Sequence, residues 1–326
     1  MIVLSAAQVQ SLLDLDALVD AVEAAMVDLS NGQASMPHRV AASVPEHGGL
    51  LAAMPAYLPS VSALTAKLVC LFPGNEDRPT HQALICCFDA ATGTPVAVMD
   101  GTHITAARTA AGSALATRLL ARPGASDVVV IGTGVQAQAH AQALARLPGV
   151  ATLRIAGRDP GKAQALVREL AAAGVQAQAA PSAEEAVRSA DIVCTTTHAA
   201  SPVLRREWLR AGTHINSVGY NTSGEGEIDA ATIRDALVVV ESRAAALAPP
   251  PAGAVELLHA IDRGDIGADH IAAEIGQVAA GSMPGRTDDR QLTLYKSTGV
   301  AVQDAAAAAL VLRTARQRGV GTLVRM

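Results

Sequence analysis

The sequence predicts an α/β protein built on a doubly wound parallel sheet, and three observations point there. Residues 127–138, D-V-V-V-I-G-T-G-V-Q-A-Q, read as a buried strand, a glycine turn and the start of a helix. After that stretch, apolar strand-like runs alternate with helical patterns as far as residue 241, the pattern of parallel strands joined by crossover helices. Before it, residues 36–99 read mainly as short strands and a hairpin, and 326 residues at 50% hydrophobic content suffice for two separate cores.

The glycine turn carries the most specific chemistry. Its spacing is G-x-G-x-x-A, from Gly132, Gly134 and Ala137. Gly132 permits the tight turn, Gly134 lets a pyrophosphate approach the backbone, and Ala137 lets the helix pack closely on the strand. The unpaired N–H groups and the positive end of the helix dipole then attract phosphate oxygens. The turn therefore predicts a dinucleotide site. A net charge of −5 without a basic block argues against nucleic acid and anionic membranes as partners. No apolar run is long enough to span a bilayer, and the N-terminus lacks a basic region followed by an apolar core. Cys70, Cys86, Cys87 and Cys194 show no C-x-x-C spacing and read as small buried residues in a reducing, cytoplasmic setting rather than as metal ligands.

Taken in order, residues 6–30 predict one helical region, with Leu12, Leu15, Leu18, Val19, Val22, Met26 and Leu29 near helical spacing and Asn31-Gly32 as the stop. Residues 40–44 read as a strand with Arg39 at its start. Residues 50–58 form an apolar run that Pro55 is expected to break. Residues 63–72 read as a strand containing one charge, Lys67. Burying it is costly unless an anion accompanies it or it snorkels from an edge. Residues 82–89 and 94–99 predict a hairpin around Thr92-Gly93, flanked by His81 and Asp100. Thr105 is expected to cap a helix carrying Arg108 in its first turn, among Ala106, Ala107, Ala110 and Ala111. So placed, an arginine points its fork into a cleft without crowding it, which suits a carboxylate or phosphate.

Beyond the glycine turn, a helix is expected from Val135 towards Leu147, and residues 153–156 read as the next parallel strand, ending at Gly157-Arg158-Asp159. An NAD site usually places an acid here on the ribose hydroxyls. Gly157 takes that place, Asp159 before Pro160 reads as a helix N-cap, and Arg158 is left for a 2′-phosphate. NADP(H) is favoured on this ground, with NAD(H) open. A helix over 160–173, a short strand near 176–180, a short helix at 182–189 and strands at 191–197, 214–219 and 237–241 follow. Ligands in such sheets sit beyond the carboxyl ends of the strands, which puts Thr196, Thr197 and Gly219-Tyr220-Asn221 near the cofactor. Residues 254–264 and 269–280 read as helical. Residues 292–312 read as a strand, a turn holding Lys296 and Ser297, and a long alanine helix that returns to the first region.

The segments M-P-A-Y (54–57), A-L-T-A-K-L-V (63–69), H-Q-A (81–83), V-M-D-G-T-H-I-T-A-A-R-T-A-A (98–111), I-G-T-G-V-Q-A (131–137), H-I-N-S-V-G (214–219) and K-S-T-G-V-A-V-Q-D (296–304) complete a familiar pattern. In these, and in their order, the chain resembles the ornithine cyclodeaminase/μ-crystallin family almost end to end, nearest its ketimine reductase branch. The resemblance implies a Rossmann domain, residues 119–291, inserted into an α+β substrate-binding and dimerisation domain formed by residues 1–118 and 292–326. It implies a homodimer. It also implies that Arg39, Lys67 and Arg108, with His81 nearby, bind the carboxylate of a substrate. The resemblance also brings a departure: the cyclodeaminases and related alanine dehydrogenases carry an aspartate after the fifth strand where this chain has Asn221, a candidate catalytic position that cannot exchange a proton as a carboxylate does.

The reading that follows is an NAD(P)H-dependent reductase of a small cyclic imino acid, such as pyrroline- or piperideine-2-carboxylate, yielding the L-amino acid. Lys67, Arg108 and Asn221 are the expected catalytic positions. The expected cofactor contacts are Gly132, Thr133, Gly134, Val135, Gln136, Arg158, Thr109, Thr196, Thr197, Val218, Gly219 and Ser297. An ornithine cyclodeaminase, an amino-acid dehydrogenase and a non-catalytic binder remain as alternatives.

Overall fold

Strand β1 (Ile2–Leu4) opens the chain, followed by helices α1 (Ala6–Leu12) and α2 (Leu15–Ser30). The single helical region expected over 6–30 is thus two helices. Ser5 forms a capping box with Gln8, and Asp14 caps the second helix by accepting from Ala17 N at 2.8 Å. Two local caps override a continuous apolar pattern. Strands β2 (Val40–Val44), β3 (Gly49–Leu58), β4 (Ala63–Leu71), β5 (His81–Asp89) and β6 (Pro95–Asp100) follow, then helix α3 (Thr102–Leu120). Pro55 does not break β3. Tyr57 N–H points to Ser35 O, so by the period of two Pro55 faces the same side, beyond the last β2–β3 pair, Val40 with Ala53. No ladder bond is needed there. Helix α3 starts before Thr105: Asp100 Oδ1 accepts from His103 N, Thr105 Oγ1 bonds back to Gly101 O, and Arg108 lies in the second turn.

The chain continues through β7 (Asp127–Ile131), α4 (Val135–Leu144), β8 (Thr152–Ala156), α5 (Pro160–Ala172), β9 (Gln178–Ala179), α6 (Ala183–Ser189), β10 (Ile192–Thr195) and β11 (His214–Ser217). It then forms α7 (Ala230–Asp235), β12 (Ala236–Val240), α8 (Arg243–Ala246), α9 (Val255–Asp262), β13 (Ile271–Glu274), α10 (Ile275–Ala279) and β14 (Leu292–Lys296). Helix α11 (Ala301–Arg318) and strand β15 (Thr322–Leu323) end it. The segment 269–280, expected as helix, contains strand β13, which is paired along β12.

This computed structural model describes residues 1–220, 224–250 and 252–325. It divides into two compact units, Met1–Arg108 with Gly299–Met326, and Thr109–Thr298; sequence reading puts the boundaries at 118/119 and 291/292. In the first unit a seven-stranded sheet runs β15-β1-β6-β5-β4-β3-β2, antiparallel except where β1 pairs with β6. Helices α2 and α11 pack together, with α11 against β3 and β4. The pairing Met54–Lys67–Ile85 fixes which face of the sheet each side chain takes.

In the second unit eight strands run β13-β12-β14-β11-β10-β7-β8-β9, all parallel. Strand β14, expected in the first region, inserts here between β11 and β12. Along β7 the side chains alternate: Val128 and Val130 pack with α4 and α5, while Val129 and Ile131 join the core on the opposite face. Burial on both faces explains the unbroken apolar run in the sequence. Among the described residues no helix is long and apolar enough to cross a membrane.

Two histidines are fully buried in this unit. His140 donates from Nδ1 to Gln136 O at 2.7 Å and lies 3.0 Å from Ser113 Oγ, while His214 sits beside Thr293 and Asn216. Burial pushes His140 down to about 4 and His214 down to about 3. Their folded values lie below those of the unfolded chain, so this contribution is complete above about pH 6.5 and is lost as pH falls towards them. Acidification from pH 7 to 4.5 is expected to cost about 2.5 kcal/mol per histidine. Urea unfolding at the two pH values measures this, and an unchanged free energy would contradict it.

Candidate active site

The anion that accompanies the buried Lys67 lies in the first unit. Lys67 Nζ lies 2.8 Å from Asp304 Oδ2, and Arg108 Nε lies 3.0 Å from Asp304 Oδ1. All three side chains are buried. Arg108 Nη1 also donates to Gln303 Oε1 at 2.8 Å, and Arg39 Nη2 donates to Gly299 O at 3.0 Å. Arg108 Nη2 donates to none of the described residues. Gly299 has φ +75, and a Cβ there would stand 2.8 Å from both terminal nitrogens of Arg108. A glycine is therefore what leaves room for the guanidinium.

The electrostatics follow from burial. Desolvation pulls Lys67 down to about 8, with Asp304 opposing the shift and Arg108 and Arg39 reinforcing it. Burial alone would raise the Asp304 carboxyl, but Arg108 and Lys67 outweigh it and hold it below its ordinary value. His81 pairs with Leu71 across β4 and β5, on the face that carries Lys67. Burial, with Lys67 and Arg108 adding to it, pushes His81 down to about 4, so its imidazole is neutral at pH 7. Two cations thus share one carboxylate, leaving one positive charge in a dry site. A second carboxylate is the complement such a site accepts.

The second unit holds the expected dinucleotide positions. Gly132 has φ +134, and a Cβ there would lie 2.4 Å from Thr196 Oγ1. At Gly134, the N-cap of α4, nothing lies within 4 Å of where a Cβ would point, and no side chain caps the helix. This open, uncapped N-terminus fits a pyrophosphate. Thr133 is half-buried, while Val135 and Arg158 are exposed. The Gln136 Oε1 atom is buried and has no hydrogen-bond partner among the described residues. A Cβ at Gly157 would stand 2.7 Å from Thr133 Cγ2, and Asp159 caps α5 by accepting from Gly161 N and Lys162 N. A side chain at position 157 would thus crowd Thr133, and Asp159 is engaged through Oδ1 as a helix cap.

The sheet reverses its order between β7 and β10. The Gly132–Gly134 turn and Thr196-Thr197 follow these two strands, with Val218 and Gly219 after β11 and Ser297 after β14. Polar residues at neighbouring carboxyl ends are thereby gathered at one edge, where ligands bind in such sheets. Thr109 is buried in the second unit's part of α3. Asn221 lies outside the described residues. Ser297 Oγ donates to Glu241 Oε1 at 3.0 Å, so its proton is already engaged.

Sequence reading missed the carboxylates. Asp304 is the one acid in the first turn of the alanine-rich α11, and the unexplained charge of Lys67 was the signal for it. Glu227, Glu241 and Glu256 are buried in the second unit, on segments where nothing in the local pattern separates a buried acid from an exposed one.

The fold and these two sites define an α/β protein of the dinucleotide-binding class. The chain belongs to the ornithine cyclodeaminase/mu-crystallin family, whose model matches residues 1–319. It is 37% identical over 317 residues to the mouse ketimine reductase mu-crystallin, covering 94% of this chain and 95% of that protein. It is also similar to the Δ1-pyrroline-2-carboxylate reductase of Thermococcus litoralis, solved with NADH and L-proline, at 36% identity and TM-score 0.93, covering 99% of this chain and 100% of that one. An archaeal alanine dehydrogenase dimer with bound NAD matches at 34% identity and TM-score 0.91, covering 100% and 99% of the two chains.

Removing the shared anion leaves two buried cations facing each other. Asp304→Asn is expected to lower the unfolding free energy by about 3–5 kcal/mol. Glu184→Gln, in the exposed Glu184–Arg188 pair, is expected to change it by less than about 1 kcal/mol. Urea titration at pH 7 compares them, and equal losses would contradict the shared-carboxylate geometry.

Proposed function

We propose that this protein is an NAD(P)H-dependent reductase of a small cyclic imino acid, of the class of pyrroline- and piperideine-2-carboxylate. The observation that carries the reading is the pair of buried cations, Lys67 and Arg108, on one carboxylate. The substrate carboxylate supplies the missing negative charge, held by Lys67 Nζ and by Arg108 through Nη2. Arg39 adds positive charge to the site. Holding the carboxylate fixes the C=N carbon in one orientation, and orientation supplies much of the rate of such a transfer. A reduced nicotinamide, when bound, would supply the hydride that such a reduction needs. Lys67, pulled to about 8, lies near working pH, where a general acid is most effective. It gives its proton to the imine nitrogen, and the product is the cyclic amino acid. The neutral His81 adds no charge to the pocket.

The glycine turn and the N-terminus of α4 would hold the pyrophosphate. Thr196, Thr197, Val218, Gly219 and Ser297 line the edge that would receive the nicotinamide half. The glycine in place of an acid at Gly157 and the exposed Arg158 support NADP(H) over NAD(H). We assign the imino acid to the first unit and the cofactor to the second.

The test follows oxidation of NADPH and NADH by purified protein with both ketimines, alongside ammonia release from ornithine. Ketimine-dependent oxidation is expected, with log kcat/KM falling above about pH 8 as Lys67 loses its proton. Arg108→Ala is expected to lower kcat/KM at least about 100-fold, the scale of a lost charged contact. Arg158→Ala should weaken NADPH at least about tenfold and leave NADH nearly unchanged. Ammonia and proline from ornithine, with no ketimine reduction, would replace this reading with a cyclodeaminase.

A homodimer is proposed on separate grounds. Val40, Leu51 and Leu84 are 66%, 41% and 50% exposed on the sheet face opposite Lys67, an apolar stripe that a second copy would cover. Light scattering should give twice the chain mass, and Leu84→Glu should give monomer. A monomeric wild type would contradict the proposal.

A further inference from the structure

Three buried side chains that the proposed chemistry does not use meet at the carboxyl edge of the second unit's sheet. Lys296, the last residue of β14, places Nζ 3.1 Å from Glu256 Oε2, 3.3 Å from Ser217 Oγ and 3.0 Å from Gly219 O. Glu227 accepts from Thr197 N with Oε1 and from Gly219 N with Oε2. Its own backbone is held in turn: Glu227 N donates to Glu256 Oε1, and Glu227 O accepts from Val203 N and Leu204 N. Lys296, Glu227 and Glu256 are each 4% exposed or less.

Two glycines are shaped by this network. A Cβ at Gly219 would fall 1.9 Å from Glu227 Cδ, and one at Gly226, where φ is +90, would fall 2.0 Å from Glu256 Cγ. Gly219 therefore lacks a side chain because a carboxylate occupies that space. Glu227 ties the segment after β10 to the segment after β11, and Lys296 fixes the next peptide group through the Gly219 carbonyl. The N–H and the C=O of one residue, Gly219, are thus held by opposite charges, at the edge where parallel sheets bind their ligands.

We infer that Glu227 and Lys296 are positioning residues that hold the Thr197 and Gly219 segments in the geometry that receives the cofactor. This rests on the nicotinamide-cofactor reading above. The network is built from second-unit residues alone, so the expected effect is on cofactor affinity and not on imino-acid affinity. The geometry also selects the informative substitution. Glu227→Gln keeps the shape, but an amide offers one acceptor oxygen, and its NH2 group faces the other N–H. One of the two main-chain donors then loses its partner in a buried place.

The test measures the dissociation constant of reduced cofactor by fluorescence titration, with hydrogen exchange on the cofactor-free protein. Glu227→Gln is expected to weaken binding at least about tenfold, ~1.4 kcal/mol. Exchange in peptides carrying Thr197 and Gly219 should rise, and KM for the imino acid at saturating cofactor should stay within about twofold. Lys296→Met should weaken binding in the same way, with Lys296→Arg partly restoring it, and this pair carries the test should Glu227→Gln fail to fold. A folded variant with wild-type affinity would overturn the inference, as would weakened affinity with unchanged exchange at both segments. Wild-type protein that binds neither NADPH nor NADH would instead overturn the cofactor reading itself.

Discussion

The first unit depends on one carboxylate serving two cations. Lys67 comes from the middle of β4, Arg108 from α3, and Asp304 from the first turn of α11. A lysine and an arginine cannot be buried side by side without an anion between them. Asp304 is placed where a carboxylate is already favoured, near the positive end of a long helix. The segment that delivers it also supplies Gly299, whose missing side chain admits the guanidinium and whose carbonyl accepts from Arg39. Six consecutive residues, 299–304, thereby organise three cations drawn from distant parts of the sequence. The charge that remains is the ground on which we assign an anionic substrate to this site.

The second unit uses carboxylates differently. Glu227, Glu241 and Glu256 accept from main-chain N–H groups, hydroxyls and a lysine at the carboxyl ends of the strands. Segments that leave a sheet have unpaired N–H groups, and satisfying them with buried acids fixes those segments without adding a layer of structure. The glycine turn is left out of this scheme. The N-terminus of α4 has no side-chain cap and open space beside Gly134, so its donors stay available to phosphate.

Much of this was legible in the sequence where a local rule sufficed. The glycine turn, the Asp159-Pro160 cap and the hairpin at Thr92-Gly93 each follow from spacing and turn chemistry, and each is present. The burial of Lys67 was readable as a problem, but its solution lies 237 residues away, between positions 67 and 304, and no periodicity connects them. Elsewhere the misses have local causes that weak patterns could not rank. Asp14 splits one apolar helix pattern into two, Pro55 survives because its missing donor faces no strand, and β13 is a four-residue strand, half of it alanine, defined by pairing with β12. Strand β14 joins the second sheet because only its neighbours, not its own apolar run, decide which sheet takes it. The roles proposed for Arg39 and His81 rest on the resemblance; alone, each reads as an ordinary polar residue at the start of a strand.

The most direct measurement is a crystal structure of the protein with bound cofactor and L-proline, the amino acid that reduction of pyrroline-2-carboxylate would give. The proline carboxylate is expected within about 3 Å of Lys67 Nζ and of Arg108 Nη2, with Asp304 still bridging the two cations from the other side. A carboxylate bound elsewhere, with Lys67 and Arg108 engaged by Asp304 alone, would contradict it.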